Sequence, residues 1–67
     1  MNTITIKEAE AANYKPLTFP YVAGEETMLG KVVADMERDN IDYKLVETTI
    51  KVRDIRQWGV EVWRRGH

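Results

Sequence analysis

The chain has 67 residues, no cysteine and a single histidine, His67, so one domain is expected and disulfides, thiol chemistry and Cys- or His-ligated metal sites are excluded. Hydrophobic residues make up 43% and charged residues 31%, with two prolines and four glycines, which predicts a folded chain rather than a disordered one. The net charge is −1, and the charges are unevenly distributed along the chain. Residues 1–42 hold four Lys and Arg and eight Asp and Glu, whereas residues 43–67 hold six Lys and Arg and three Asp and Glu. The asymmetry indicates either a basic partner-binding segment or two halves that attract each other within the fold.

The N-terminal segment carries two patterns at once. Residues 3–7 alternate polar and apolar side chains, as a half-buried strand does. Thr5 and Glu8 have the spacing of a capping box, and residues 8–12 favour helix. We predict a short strand followed by one or two helical turns that end near Asn13, a residue that tolerates the left-handed conformation.

Residues 14–23 form a connector rich in aromatic residues and proline. Pro16 and Pro20 disfavour helical backbone at Lys15 and Phe19, so the connector is predicted to be extended or turned. Its apolar side chains are expected to pack across the domain like a lid.

The clearest element is a helix over about 24–39. Glu25 and Glu26 occupy its first turn, where negative charge complements the helix dipole. Five apolar residues fall on one stripe, which is expected to be core. They are Met28, Leu29, Val32, Val33 and Met36.

Alternation predicts a strand over about 42–52 and another over about 59–65. Two consecutive apolar residues, Leu45 and Val46, shift the phase of the first strand and suggest a bulge there. Residues 53–58 are expected to form a loop.

In the last strand, Val60 and Val62 are predicted to face the core, with Trp63 and Arg65 on the opposite, exposed face. A closing helix over 54–65 is the alternative, and the β-rich composition around Gly59 favours the strand.

The sequence offers little for catalysis. It has no serine or cysteine, its only histidine is the last residue, and its glycines are isolated, so neither a serine- or cysteine-type catalytic site nor a Gly-rich phosphate loop is expected. Glu25 and Glu26 are neighbours in a helix and point about 100° apart, so they do not form an acid–base pair. We therefore expect no enzyme, no cofactor and no metal site.

The best candidate for a functional surface is the basic, aromatic C-terminal part, since cations beside aromatic rings suit anionic or stacking partners. An overall pI of about 5.7 and the interleaved carboxylates of Glu47, Asp54 and Glu61 argue against a strong nucleic-acid binder. The candidate residues for an anion- or partner-binding surface are Lys51, Arg53, Arg56, Trp58, Trp63, Arg64 and Arg65.

Together these patterns predict a single α+β domain over residues 1–67, with a short N-terminal strand, one main helix and a small sheet completed by C-terminal strands. The expected function is a non-enzymatic protein-interaction or regulatory module that binds a protein partner or a second copy of itself. The alternative is a nucleic-acid-binding domain that uses the basic C-terminal strand. No apolar run is long enough for a membrane span and the N-terminus lacks a secretion-signal pattern, so cytoplasmic location is expected.

Overall fold

The computed structural model describes residues 2–65 as two helices and a small antiparallel sheet, which confirms the predicted α+β fold. In chain order the elements are α1 (Ile6–Ala11), β1 (Tyr14–Pro16), β2 (Tyr21–Val22), α2 (Glu26–Arg38), β3 (Tyr43–Val52) and β4 (Ile55–Arg65).

Strand β4 is the centre of the sheet. One of its edges pairs with β3 along the full hairpin, from Tyr43 opposite Arg64 to Val52 opposite Ile55. The other edge is shared by β1, opposite residues 63–65, and by β2, opposite residues 59–60. A single parallel bridge from Ile4 to Val46 lies on the outer edge of β3. The predicted N-terminal strand is reduced to this bridge.

The two faces of the sheet carry separate cores. Helix α2 covers one face, where Leu29, Met36 and Val62 form a buried cluster. The short helix α1 covers the other face, where Ala9 packs with Tyr14, Val46, and Trp63. Val62 is buried as predicted, but Trp63 is only 5% exposed, so the prediction that it lies on a solvent face is wrong. The prediction assumed that only one face of the sheet is buried, whereas helices cover both faces.

This two-sided burial also explains why no bulge occurs near Leu45 and Val46. The β3–β4 register is continuous through both residues, so the bulge prediction is wrong. Neighbouring side chains of a strand point to opposite faces. Leu45 packs against the α2 cluster and Val46 lies in the α1 cluster, so two consecutive apolar residues need no change of phase.

The loop predicted over 53–58 is also wrong, because β4 begins at Ile55 and a two-residue turn joins it to β3. Both turn residues have positive φ, 51° at Arg53 and 65° at Asp54, as the type I′ hairpin turn requires. The same register rules out the alternative of a helix over 54–65. Residues 55–58 are exposed on both faces, so they lack the alternation of apolar and polar side chains that marks a half-buried strand.

The capping box and the helix end predicted for α1 are both confirmed. The Thr5 hydroxyl accepts a hydrogen bond from the Glu8 N–H, and the Glu8 carboxylate accepts one from the Thr5 N–H, which completes the predicted capping box of α1. Asn13 follows α1 with a φ of 67°, and Asn40 follows α2 with a φ of 56°, so both helices end at left-handed asparagines.

The connector is extended, as the prolines predicted, but it lies along the edge of β4 rather than across the domain as a lid. Its residues 17–20 bulge away from β4 between β1 and β2. The Leu17 N–H donates to the Val62 carbonyl, and the Thr18 hydroxyl accepts from the Val62 N–H, so the bulge leaves no Val62 backbone group unpaired. A Cβ at Gly59 would lie 3.0 Å from the Pro20 Cβ, so glycine lets the bulge close onto β4.

Only part of the predicted apolar stripe of α2 is buried in the core. Leu29 and Met36 are buried and Val32 and Val33 are half-buried, whereas Met28 is 54% exposed, contrary to prediction. Met28 is one residue before Leu29 and therefore about 100° around the helix. Because Leu29 packs towards Val62 of β4, Met28 is turned away from the sheet and towards solvent.

Leu29→Ala and Met28→Ala test this division of the stripe. We expect Leu29→Ala to lower the free energy of unfolding by about 2–4 kcal/mol, because it leaves a cavity in a buried cluster. Met28→Ala should change it by less than about 0.5 kcal/mol, since little buried surface is lost. Urea denaturation monitored by tryptophan fluorescence measures both, and equal losses would contradict the assignment.

A hydrogen bond between Tyr43 and Glu37 gives a pH-dependent prediction. The Tyr43 hydroxyl donates to the Glu37 carboxylate at 2.9 Å, and this bond raises the pKa of Tyr43 above its ordinary value of about 10. Because the bond favours the protonated hydroxyl of Tyr43 in the folded state, it contributes its full stabilisation below a pH of about 10. That stabilisation is lost as the pH rises through the folded-state pKa. Glu37→Gln should lower the pKa of Tyr43, as measured by NMR titration of its ring Cζ, with Tyr43→Phe to assign the signal. An unchanged pKa would contradict the bond.

Candidate functional site

The seven predicted site residues do not form one surface. The hairpin register places Lys51, Arg53, Arg56 and Trp58 near the turn, and Trp63, Arg64 and Arg65 at the opposite end of the hairpin. At roughly 3.3 Å per residue, positions 56 and 64 are about 26 Å apart. The structure therefore divides the basic, aromatic segment into two groups with different environments.

Arg65 belongs to a polar cluster that fastens the end of the sheet. Its Nε lies 3.1 Å from Asp42 Oδ2, and its Nη2 donates to the Tyr14 hydroxyl at 3.3 Å. The guanidinium also stacks 5.0 Å from the centroid of the Tyr14 ring. The Tyr14 hydroxyl in turn donates to Asp42 Oδ1 at 2.7 Å. Arg65 thus joins β4 to β1 and to the residue before β3, and its contacts are structural.

Trp63 is likewise structural. It is buried against α1, and its indole N–H donates to Glu61 Oε1 at 3.1 Å. Arg64 is exposed beside a shallow hollow formed with residues 40–42. The C-terminal group therefore offers a solvent-facing surface only at Arg64 and at the rim of the Arg65 cluster.

The group near the turn lies on a projecting part of the hairpin, which we call the hairpin arm (residues 48–58). Strand β2 pairs with β4 no further towards the turn than Gly59, and the parallel bridge meets β3 at Val46. Within the described residues 2–65, the two strands of the arm therefore pair only with each other. Both outer edges of the arm present unpaired backbone groups.

The two faces of the arm differ in chemistry. Paired residues of an antiparallel hairpin share a face, and neighbours along a strand alternate. The face continuous with the α1 side carries no charge, and we call it the uncharged face. It consists of Thr48, Ile50, Val52, Ile55 and Gln57. The opposite face, the basic face, consists of Thr49, Lys51, Arg56 and Trp58.

The basic face places like charges side by side. Lys51 lies directly opposite Arg56 in the register, an arrangement that destabilises a strand pair. Lys51 Nζ lies 3.7 Å from Asp54 Oδ1, but both side chains are largely solvated, so this pair compensates little. Trp58, on the same face two residues from Arg56, is 70% exposed.

One side of Trp58 borders a cleft of about 200 Å³ where the arm meets the N-terminus of α2. Tyr21, Leu29 and Val60 are among the apolar residues that line the cleft, and Glu25 and Glu26 also line it. Hydrogen bonds from the backbone N–H groups of Glu26 itself and of Gly24 lower the pKa of the Glu26 carboxyl. The Glu25 carboxylate accepts from the Val22 N–H at 2.9 Å. Both carboxylates are thus held on the turn that precedes α2.

At the tip of the arm, two charged residues occupy turn positions whose backbone conformation favours glycine or asparagine. Type I′ turns prefer Asn-Gly or Asp-Gly because both central residues have positive φ. Arg53 and Asp54 adopt that conformation with full side chains. With Lys51 and Arg56, the arm carries three cations and one carboxylate, a net +2, so the rest of the chain carries −3 of the total −1.

Residues 2–65 contain no group of three or more His, Cys, Asp or Glu side chains placed to hold a metal ion. Across the same residues, neither helix has the length and apolar character needed to cross a membrane. Comparisons with protein-family models, with curated proteins and with solved structures found no match.

Sequence reasoning missed the uncharged face. The sequence pattern predicts a strand that includes Ile50 and Val52, and it places Ile55 in a loop. The structure leaves Val52 45% and Ile55 62% exposed and brings them opposite each other. The cue available in the sequence was the absence of Asp, Glu, Lys and Arg at every second position around the turn.

Asp54→Gly tests the strain at the tip. Glycine adopts positive φ without steric cost, so the variant should raise the free energy of unfolding by about 1 kcal/mol. Thermal denaturation followed by circular dichroism measures the change. Asp54→Asn is the matched control, because it removes the same carboxylate with a residue that tolerates the turn less well than glycine. A lower stability of Asp54→Gly than of Asp54→Asn would contradict the turn geometry.

Proposed function

We propose that the chain is a non-enzymatic protein-interaction module, and that a partner protein packs on the uncharged face of its hairpin arm. The observation that carries the proposal is the juxtaposition of Val52 and Ile55, two large aliphatic side chains that are opposite each other and exposed on a projecting ribbon. Exposed apolar side chains that adjoin each other to form one patch are typical of contact sites.

A bound partner would stabilise the hairpin arm, which neither helix covers. A two-stranded hairpin is marginally stable by itself in water. Packing a protein surface on Val52 and Ile55 would remove apolar area from water and order both strands, and the open edges of the ribbon offer backbone groups for added strand pairing.

The chemistry of the uncharged face specifies the partner surface. Thr48, Ile50 and Gln57 supply methyl groups and an amide around the two exposed aliphatic side chains, with no formal charge. A complementary partner presents an apolar, uncharged patch, because burying an unpaired charge there would be costly. The missing serine, cysteine and internal histidine support a binding role over a catalytic one.

A photo-crosslinking amino acid placed at neighbouring positions tests the proposal. At Val52 the probe lies on the uncharged face, and at Lys51 it lies on the basic face, although the two positions are adjacent in sequence. In the native host, with nuclease-treated lysate, we expect a discrete protein adduct from position 52 and little or none from position 51. Mass spectrometry identifies the adduct, and an adduct of twice the chain mass would identify a second copy as the partner.

The double variant Val52→Thr, Ile55→Thr supplies the matched control. Threonine keeps the β-branched shape that strands favour but removes apolar surface, so folding should be unaffected at these exposed positions. With the crosslinker moved to Gln57 on the same face, the adduct should be lost in the double variant and retained in Trp58→Thr. Equal adducts from positions 51 and 52, or an adduct that survives the double variant, would refute the proposal.

A further inference from the structure

The basic face of the arm is not explained by folding or by a protein partner on the opposite face. Lys51 and Arg56 face each other as like charges, and the exposed Trp58 ring shares their face. Arg53 adds a third cation at the strained tip. Each of these features lowers the stability or solubility of an isolated ribbon, and an anionic ligand with flat, stackable groups would offset all of them.

We propose that the basic face of the hairpin arm binds single-stranded nucleic acid, with one base stacked on Trp58 and the adjoining phosphates held by Lys51, Arg56 and Arg53. Aromatic side chains flanked by cations are how proteins hold single strands without reading their sequence. Residues 56 and 58 are two apart on one strand, about 7 Å, and Lys51 lies across the ribbon about 5 Å from Arg56. The ring and two cations thus fall within reach of neighbouring nucleotides.

The distribution of charge restricts where a single-stranded nucleic acid can lie on the protein. The arm carries +2 and the remainder of the chain −3, so a polyanion is attracted to the arm and repelled by the rest of the domain. Glu25 and Glu26 line the cleft beside Trp58, and their negative charge disfavours a polyanion on the side nearest α2. The nucleic acid therefore runs from Trp58 towards the tip, past Arg56 and Lys51.

A single strand fits this face better than a duplex or an acidic protein does. The bases of a duplex are stacked on each other, so Trp58 has no base face to cover, and the net charge of +2 is too small to hold a duplex by phosphate contacts alone. An acidic peptide satisfies the cations but leaves the indole ring with no stacking partner.

Fluorescence anisotropy with a labelled twelve-nucleotide oligo(dT) at several salt concentrations tests the inference. We expect weak binding at low salt, with a slope of log K against log[salt] of about −2, since each of three phosphate contacts contributes about −0.7. Lys51→Gln should reduce the slope by about 0.7. Trp58→Ala should weaken binding about tenfold, whereas Trp58→Phe should retain most of it.

The double variant Val52→Thr, Ile55→Thr alters only the uncharged face and should bind oligo(dT) like the unmodified protein. Failure of the protein-interaction proposal and failure of this one are therefore distinguishable, because each depends on variants of a different face. No oligo(dT) binding at low salt, equal binding of a twelve-base-pair duplex, or full retention by Trp58→Ala would overturn the inference. Binding of poly-glutamate in place of oligo(dT) would assign the face to acidic protein and also overturn it.

Discussion

The structure depends on the burial of β4 on both of its faces. Val62 and Trp63 are neighbours in sequence, yet each lies in a different hydrophobic cluster, one under α2 and the other under α1. All the other strands pair with β4. A chain this short buries only about 60% of the surface that its unfolded form exposes, and it divides that burial between two thin cores. Both cores and the whole sheet are therefore coupled through one strand.

The hairpin arm follows from the unequal lengths of the strands around β4. Strand β4 has 11 residues, but β1 and β2 together reach only from Arg65 to Gly59. The remaining residues of the hairpin extend past both helices and present two faces, one uncharged and one basic, separated by a single layer of backbone. The body of the domain supplies stability, while the arm supplies the exposed apolar and cationic groups on which both functional proposals rest.

Much of the architecture was predictable from local signals. The periodicity of residues 24–39 predicted α2, the Thr5–Glu8 spacing predicted the capping box of α1, and Asn13 and Asn40 mark the helix ends. Alternation predicted strands within 42–52 and 59–65. These signals depend on backbone geometry and on side chains a few residues apart, so they hold whatever the tertiary structure is. The sequence identified the cations Lys51, Arg53 and Arg56, but the hairpin register was needed to place Lys51 and Arg56 on one face of the arm.

The sequence by itself determined the fold class, the main helix and the basic character of the C-terminal part. Only the tertiary structure decided that Trp63 is core, that Leu45 and Val46 face opposite helices, that Arg65 is bound to Asp42 and Tyr14, and that Ile55 is exposed on an arm. The physical reason is that alternation along a strand assigns residues to two faces without stating what covers either one. Coverage depends on where distant elements pack, and here α1 and α2 cover one half of the hairpin and leave the other half to solvent.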